Sequence, residues 1–551
     1  MDSRRIGFVI LATFGLALIG CGKSDSKPGG PSTPSSQPSA APTLAQFHWL
    51  GKQRLAADTN AAGFLAIWNL PESAKLEAQT LDKLATAPWR LLRTDLPLSN
   101  APSALLRPLL DDLISAESYL ELRGATNQPG ELVLALRLNA ERAAVWQTNL
   151  AAVLASLTDG KATSTSAGWT LNFTRKTEGP QPSTLSSQLT LTRTGEWTLL
   201  GLTSNQKENS LLAAFVARIQ NANAPFPASA TNAWLEAEVD LKRVSSAFAL
   251  GWKLPAEWPA IALAMGSDTE AVRTRGRLKF PQPLPFMFEP WNIPTNVIHD
   301  PLVSFMAVRG IQSWLAAWPV WQNLQLGPPP NQAFVWAMQG FPLQTTVAAP
   351  FADASNRIGQ LAETLVQKGT PWLKTNGIGA FERVADRDGV HWQGLPFMEA
   401  HLQAMNLPGG EFAYLELLPN ARTNRPAPPE LLAQIYSRTN LVYYDWEISG
   451  PRIDAWIYIA QTWRLGLKLA QFPPESAGGK WFEALQPKLG NSVTAIAQSG
   501  PDQLSFTRRS AMGLTAVEIH LLADWLESPE FPRGTHTSLV PVARPTRINR
   551  K

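Results

Sequence analysis

Two strands and then a helix, read along residues 118–157, recur in outline along 333–368, and a chain patterned that way has to fold as layers of sheet and helix. Residues 131–138 are apolar nearly throughout, as in a strand. Asn139 follows and is placed to cap a helix on which Trp146, Leu150, Val153, Leu154 and Leu157 recur at helical spacing. The strand 197–203 precedes a second helix, bearing Leu211, Leu212, Phe215, Val216 and Ile219. The strand 343–349 precedes a third, with Asp353 as its cap and Ile358, Leu361 and Leu365 on one face. Segments 118–124 and 169–175 each run through a short polar connection into the next strand, which predicts antiparallel pairing.

The Pro-rich stretch 281–290 divides the body into residues 47–290 and 291–532. The halves match in outline beyond the first pattern: 63–68 leads into a helix ending near Pro88, and 305–308 into one ending near Pro319. We therefore expect an α+β fold of two related lobes, each mainly antiparallel sheet with helices packed on one face. In the second half, 441–448 reads as a strand, and Gly450-Pro451 opens a helix with Ile453, Trp456, Ile457, Ala460, Trp463 and Leu467 along one face. Strand 504–509 and a helix over 514–526 follow, and 533–551 is a polar, basic tail. The body loosely resembles uncharacterised secreted bacterial proteins of two-part strand-and-helix type, a resemblance that implies no activity.

At the other end, Arg4 and Arg5 precede an apolar run, 6–20, that spans roughly 22 Å as a helix against the ~30 Å of a bilayer core. This reads as a secretory signal over residues 1–20. The sequence Leu18-Ile19-Gly20-Cys21 resembles the lipobox of bacterial lipoproteins, and the resemblance implies diacylglyceryl transfer to the Cys21 sulfur, cleavage before it and acylation of the new amino group. Cys21 is the single cysteine, so no disulfide forms within the chain and no cysteine metal site exists. Gly22, rather than Asp, follows it, which in that class implies the outer membrane. Segment 21–46, rich in Ser, Pro and Gly through residue 43, is then a tether with an end-to-end reach of roughly 26 Å between the membrane and the body.

The formal net charge of +4 resides in the two ends and the tether, leaving residues 28–532 net negative. A nucleic-acid partner requires a basic face on the folded body and is set aside. Asp445 and Glu447, two apart on a strand, share a face at roughly 7 Å, the separation used by inverting glycoside hydrolases. The ordinary alternative is a solvated or salt-bridged strand face neutralised by Arg452, Arg508 and Arg509. His520 and Asp524 stand one helical turn apart, a metal-ligand spacing without a third ligand nearby. His391 sits on a strand after the turn at Asp386-Arg387-Asp388, and His48, His299, His401 and His536 show no partner spacing. Gly478-Gly479-Lys480 lacks the upstream glycine of a phosphate loop, and neither GxGxxG nor GxSxG occurs, so no cofactor is expected. Most of the 21 tryptophans fall in apolar phase, which assigns them to the core, although Trp314, Trp318 and Trp321 crowd one segment. The expected function is a membrane-tethered envelope protein that binds or scaffolds an envelope protein or glycan without catalysis. The alternatives are an envelope glycan hydrolase using Asp445 and Glu447, and a carrier of an apolar ligand between sheet and helices.

Overall fold

The computed structural model describes residues 41–92, 101–125, 128–158, 160–176, 184–204, 209–226, 233–247, 254–268, 270–340, 344–384, 388–395, 398–418, 425–466 and 475–536. Cys21, the signal and most of the tether and basic tail lie outside them. The described residues form two compact units: unit 1 runs up to Trp68 and over Glu77–Pro283, and unit 2 takes Asn69–Leu76 and the chain from Leu284. The stretch 281–290, at which the sequence is divided above, spans the limit between them. Among the described residues no helix is long and apolar enough to cross a membrane.

Unit 1 is built on ten strands: β1 (Thr43–Trp49), β2 (Ser118–Ala125), β3 (Gln128–Arg137), β4 (Ala162–Thr165), β5 (Gly168–Lys176), β6 (Thr184–Thr194), β7 (Trp197–Ser204), β8 (Leu235–Val239), β9 (Ala260–Ser267) and β10 (Val272–Lys279). They pair antiparallel throughout in the order β4-β5-β6-β7-β3-β2-β1-β8-β9-β10. Unit 2 carries β11 (Leu302–Arg309), β12 (Gln332–Met338), β13 (Thr345–Pro350), β14 (Ala380–Arg383), β15 (Gly389–Leu395), β16 (Met398–Leu407), β17 (Gly410–Glu416), β18 (Leu441–Ile448), β19 (Asn491–Gly500) and β20 (Gln503–Ser510). Their order is β14-β15-β16-β17-β13-β12-β11-β18-β19-β20, again antiparallel. Each strand of unit 2 thus occupies the place of its counterpart ten earlier. The fold is α+β, and the two lobes are topological copies.

Local sequence explains most elements. Residues 63–68, matched above with 305–308, lie in helix α1 (Ala62–Trp68), which buries Leu65 and Ile67; the counterpart of β11 is instead β1. That strand lies partly inside the stretch assigned to the tether, since Leu44 is buried and the strand is paired on both edges. Helix α2 (Pro71–Leu92) belongs to unit 1 from Glu77 onward, α3 (Ser103–Ser115) and α4 (Ala140–Leu157) follow in unit 1, and Asn139 caps α4 as expected, its Oδ1 accepting the Arg142 N–H at 2.8 Å. Leu109 and Leu110 of α3 and Trp146, Leu150 and Val153 of α4 pack with Leu132, Leu134 and Leu136 of β3 into the main core. The reverse face of β3, Val133 and Ala135, is covered by α5 (Ser210–Ala222) through Leu211, Phe215 and Ile219, which adds a second helical layer. Helix α6 (Leu241–Ala247) follows β8 directly.

In unit 2, α7 (Ala354–Thr364) begins at Asp353, but Asp353 sits in left-handed backbone and does not cap it; Glu411 of β17 accepts the Ala354 N–H at 2.6 Å instead. Glu131 on β3 does the same for α5, accepting from Ser210 and Leu211. A strand carboxylate at a helix N-terminus satisfies free N–H groups and opposes the helix dipole. Helix α8 (Pro429–Tyr436) packs Leu431 and Ile435 against Phe305, Phe334 and Tyr444. In α9 (Ser449–Gly466) Ile453 is buried as expected, together with Arg452, Ala455, Ile459 and Thr462, while Trp456, Ile457 and Ala460 are only half-buried, so the buried side departs from the expected stripe; the Trp463 side chain and Leu467 lie outside the described residues. Two arginines, Arg452 and Arg464, are buried there because acids face them. Helices α10 (Ala477–Leu485) and α11 (Ala516–Leu526) complete the unit, the latter opened by a Thr515/Glu518 capping box.

Candidate functional site

The polar face of unit 1 over β1, β2, β8, β9 and β10 holds a groove of about 590 Å³. Its chemistry follows from period-two alternation read across the strand register. On β8, Glu236 and Glu238 share that face; on β10, Arg275 and Arg277 do. Registration sets Tyr119, His48, Glu236, Ala264 and Arg275 in one row across five strands. The next row is Glu121, Gln46, Glu238, Ala262 and Arg277. Acids and arginines are therefore held two strand spacings apart, roughly 10 Å, over a floor of alanines. Arg273 pairs with Asp268 at 2.5 Å, but Arg275 and Arg277 make no ion pair among the described residues and are exposed.

One wall is fixed in place. The His48 ring stacks on Tyr119 at 4.1 Å and 3°. Its Nε2 lies 3.4 Å from Glu117 Oε1 and its Nδ1 3.8 Å from Glu236 Oε2. Tyr119 donates to Glu117 Oε1 at 3.4 Å, and Arg54 and Arg137 reach Glu117 Oε2. Burial pushes Glu117 up, but His48 and Arg54 beside it hold its carboxyl below the usual value. Burial first, then the Glu117 charge, drives the Tyr119 phenol well above its usual range, so it stays a hydrogen-bond donor. Phe226 closes this end, 5.1 Å from Tyr119. Spacing along the chain gives no sign of His48, because its partners come from β2 and β8; the available signal is the alternation of Glu236/Glu238 and Arg275/Arg277 on nearby strands.

The counterpart row in unit 2 repeats the charges: Met306, Asp445, Thr494 and Arg508 stand in register on β11, β18, β19 and β20. Asp445 and Glu447 do share a face, as expected, and correspond in strand position to Glu236 and Glu238, but they do not open to solvent: Asp445 is 9% exposed and Glu447 3%. Helix α11 lies over them, and Glu447 Oε1 accepts its Ala516 N–H at 2.6 Å and the Ser449 hydroxyl at 2.9 Å. Arg508 is engaged by Thr494 and by Glu518 of α11. Burial, then the Glu447 charge, pushes Asp445 up to about 7 against Arg452 and Arg508. Burial raises Glu447 too, opposed by Ala516 and Ser449. In unit 1 no helix follows β10, where the Pro-rich stretch runs on, and the equivalent face stays open.

His520 and Asp524, one turn apart on α11, have different neighbours. Asp524 is buried and accepts from Arg464 at 2.6 Å, while His520 stacks on Phe482 at 5.8 Å, and burial pulls it below its usual value. Most tryptophans pack internally, Trp89, Trp146 and Trp336 almost completely. Trp314, Trp318 and Trp372 are exceptions, 69%, 47% and 56% exposed, the first two with near-parallel rings 6.4 Å apart.

The two ten-stranded α+β lobes thus differ at one polar face, which is an open groove in unit 1 and is covered by α11 in unit 2. Comparison with protein families, with curated proteins and with solved structures gives no match to this chain.

Proposed function

We propose that this chain is a lipid-anchored envelope protein that holds a zwitterionic peptide segment of an envelope partner in the unit 1 groove without transforming it. The observation that carries the reading is the placement of Glu236 and Glu238 across an alanine floor from Arg275 and Arg277. An extended ligand with an ammonium at one end and a carboxylate at the other meets both rows while its backbone approaches the small side chains of Ala262 and Ala264. The charged rows favour a polar ligand over the apolar cargo of a carrier. A glycan hydrolase working through Asp445 and Glu447 draws no support from carboxylates sealed under α11.

The test is capture of short peptides carrying one lysine and a free C-terminal carboxylate by the mature chain. Glu236→Gln and Arg275→Gln, both at surface positions, are each expected to weaken the retained peptide roughly 10- to 100-fold, the worth of one charge-assisted contact. Equal retention by wild type and both variants counts against the groove.

The anchoring half of the proposal is supported by Arg4 and Arg5, the apolar run 6–20 and Cys21. Cys21→Ser is expected to abolish fatty-acid labelling and to move the chain from the membrane fraction to the soluble one. Persistence of the serine variant in membranes, or an unlabelled wild type, overturns it.

A further inference from the structure

The structure assigns a divalent-metal site, of a kind suited to zinc, to His391, Glu399 and His401 in unit 2, apart from His520 and Asp524 and independent of the groove. Glu399 and His401 are two apart on β16 and share a face. His391 stands directly opposite His401 on β15. That pairing depends on a bulge. Counting back from the Leu395–Met398 pair, an unbroken ladder sets His391 opposite Leu402, and its ring on the other face from His401. The register slips by one between Trp392 and Leu395, at Gly394. Its φ is +88°, and a Cβ there would lie 2.7 Å from Gly379 Cα, too close for any side chain. The slip turns both imidazoles to one side.

The donors are at ligand spacing. The three ligating atoms lie within 4.8 Å of one another. His401 Nε2 is 3.2 Å and His391 Nδ1 3.8 Å from Glu399 Oε1. A tetrahedral ion with bonds of ~2.0–2.1 Å has ligand edges of roughly 3.3 Å, so small side-chain rotations close the cage. His401 Nε2 is buried and makes no hydrogen bond among the described residues, its approach to Glu399 being poorly aligned for one. A buried ring nitrogen left in that state costs free energy unless something engages it.

The surroundings of His391 point the same way. Its Nε2 lies 3.5 Å from Glu382 Oε2, which stands opposite it on β14, and 3.2 Å from the Gln393 amide. With Nδ1 on the metal, Nε2–H faces Glu382, the carboxylate–histidine–metal arrangement that orients a ligating ring, and the Gln393 amide turns its oxygen rather than its nitrogen toward Nε2. Two imidazoles and one carboxylate suit zinc rather than calcium or magnesium, which take all-oxygen sets, and leave a fourth position for water or a ligand.

The experiment is calorimetric titration of the detergent-solubilised full mature chain, stripped with EDTA, with zinc chloride alone. One Zn²⁺ per chain is expected. His391→Ala and His401→Ala should each lower affinity by more than ~100-fold, Glu382→Gln by about tenfold, and His520→Ala not at all. Glu399 is half exposed, so Glu399→Gln provides a ligand loss that leaves the fold intact should a histidine variant fail to fold. Cobalt(II) loading adds a visible absorption band that the same variants remove. No binding by the wild-type chain, or unchanged affinity in Glu399→Gln together with the histidine variants that fold, overturns the site.

Discussion

Replacing Arg452 by methionine is expected to destabilise unit 2 by about 3–5 kcal/mol, seen as a lower urea midpoint at pH 7. The guanidinium is 5% exposed, donates to Thr345 Oγ1 at 3.2 Å and lies 4.8 Å over the Trp456 ring. Burial lowers its pKa, while the charges of Glu447 and then Asp445 support its ionised form. Methionine fills much of the same volume but leaves the sealed Glu447 carboxylate, and Asp445 to the extent that it is ionised at pH 7, without the cation buried beside them. Taking charges out of water is costly, and removing one partner exposes that cost in full, whereas removing all of them does not. The triple variant Arg452→Met/Asp445→Asn/Glu447→Gln should therefore recover most of the loss. A triple variant no more stable than the single one defeats this account.

Asp445→Asn alone should act in the opposite direction, and only above acid pH. In the folded chain the Asp445 carboxyl stays protonated up to about pH 7, whereas its ordinary value is 3.8. Between those values the folded state binds more protons than the unfolded one, so stability falls as pH rises from about 4 to about 7 and then levels off. Asparagine carries no proton to lose. The variant should match wild type near pH 3.5 and exceed it by roughly 2–4 kcal/mol at pH 8, flattening the profile of urea midpoint against pH. A constant offset across that range assigns the effect to packing and removes the buried proton from the explanation.

Both expectations concern residues that were legible as a pair. Strand alternation placed Asp445 and Glu447 on one face, and that is where they are; what alternation leaves open is whether the face meets water or a helix. Helix α11 starts some seventy residues later and decides it. The same applies to α9, whose apolar positions were visible while the burial of Arg452 and Arg464 depended on acids from β18 and α11. The expected cap at Asp353 failed for a related reason, since Glu411 arrives from β17 and takes the N–H first.

The sequence by itself determined the α+β class, the resemblance between the halves over 118–157 and 333–368, the hairpins and the cap at Asn139, because these rest on periodicity and on contacts between near neighbours along the chain. Only the tertiary structure decided that the halves share one ten-strand order, that His48, Glu236 and Arg275 form a row, and that a single bulge at Gly394 faces His391 to His401. Register between strands distant in sequence is set by packing and turns, and a slip of one residue inverts a face without changing the pattern along the strand. The charged pairs on β8 and β18 are alike in sequence, and helix packing made one a groove wall and the other part of a sealed interior.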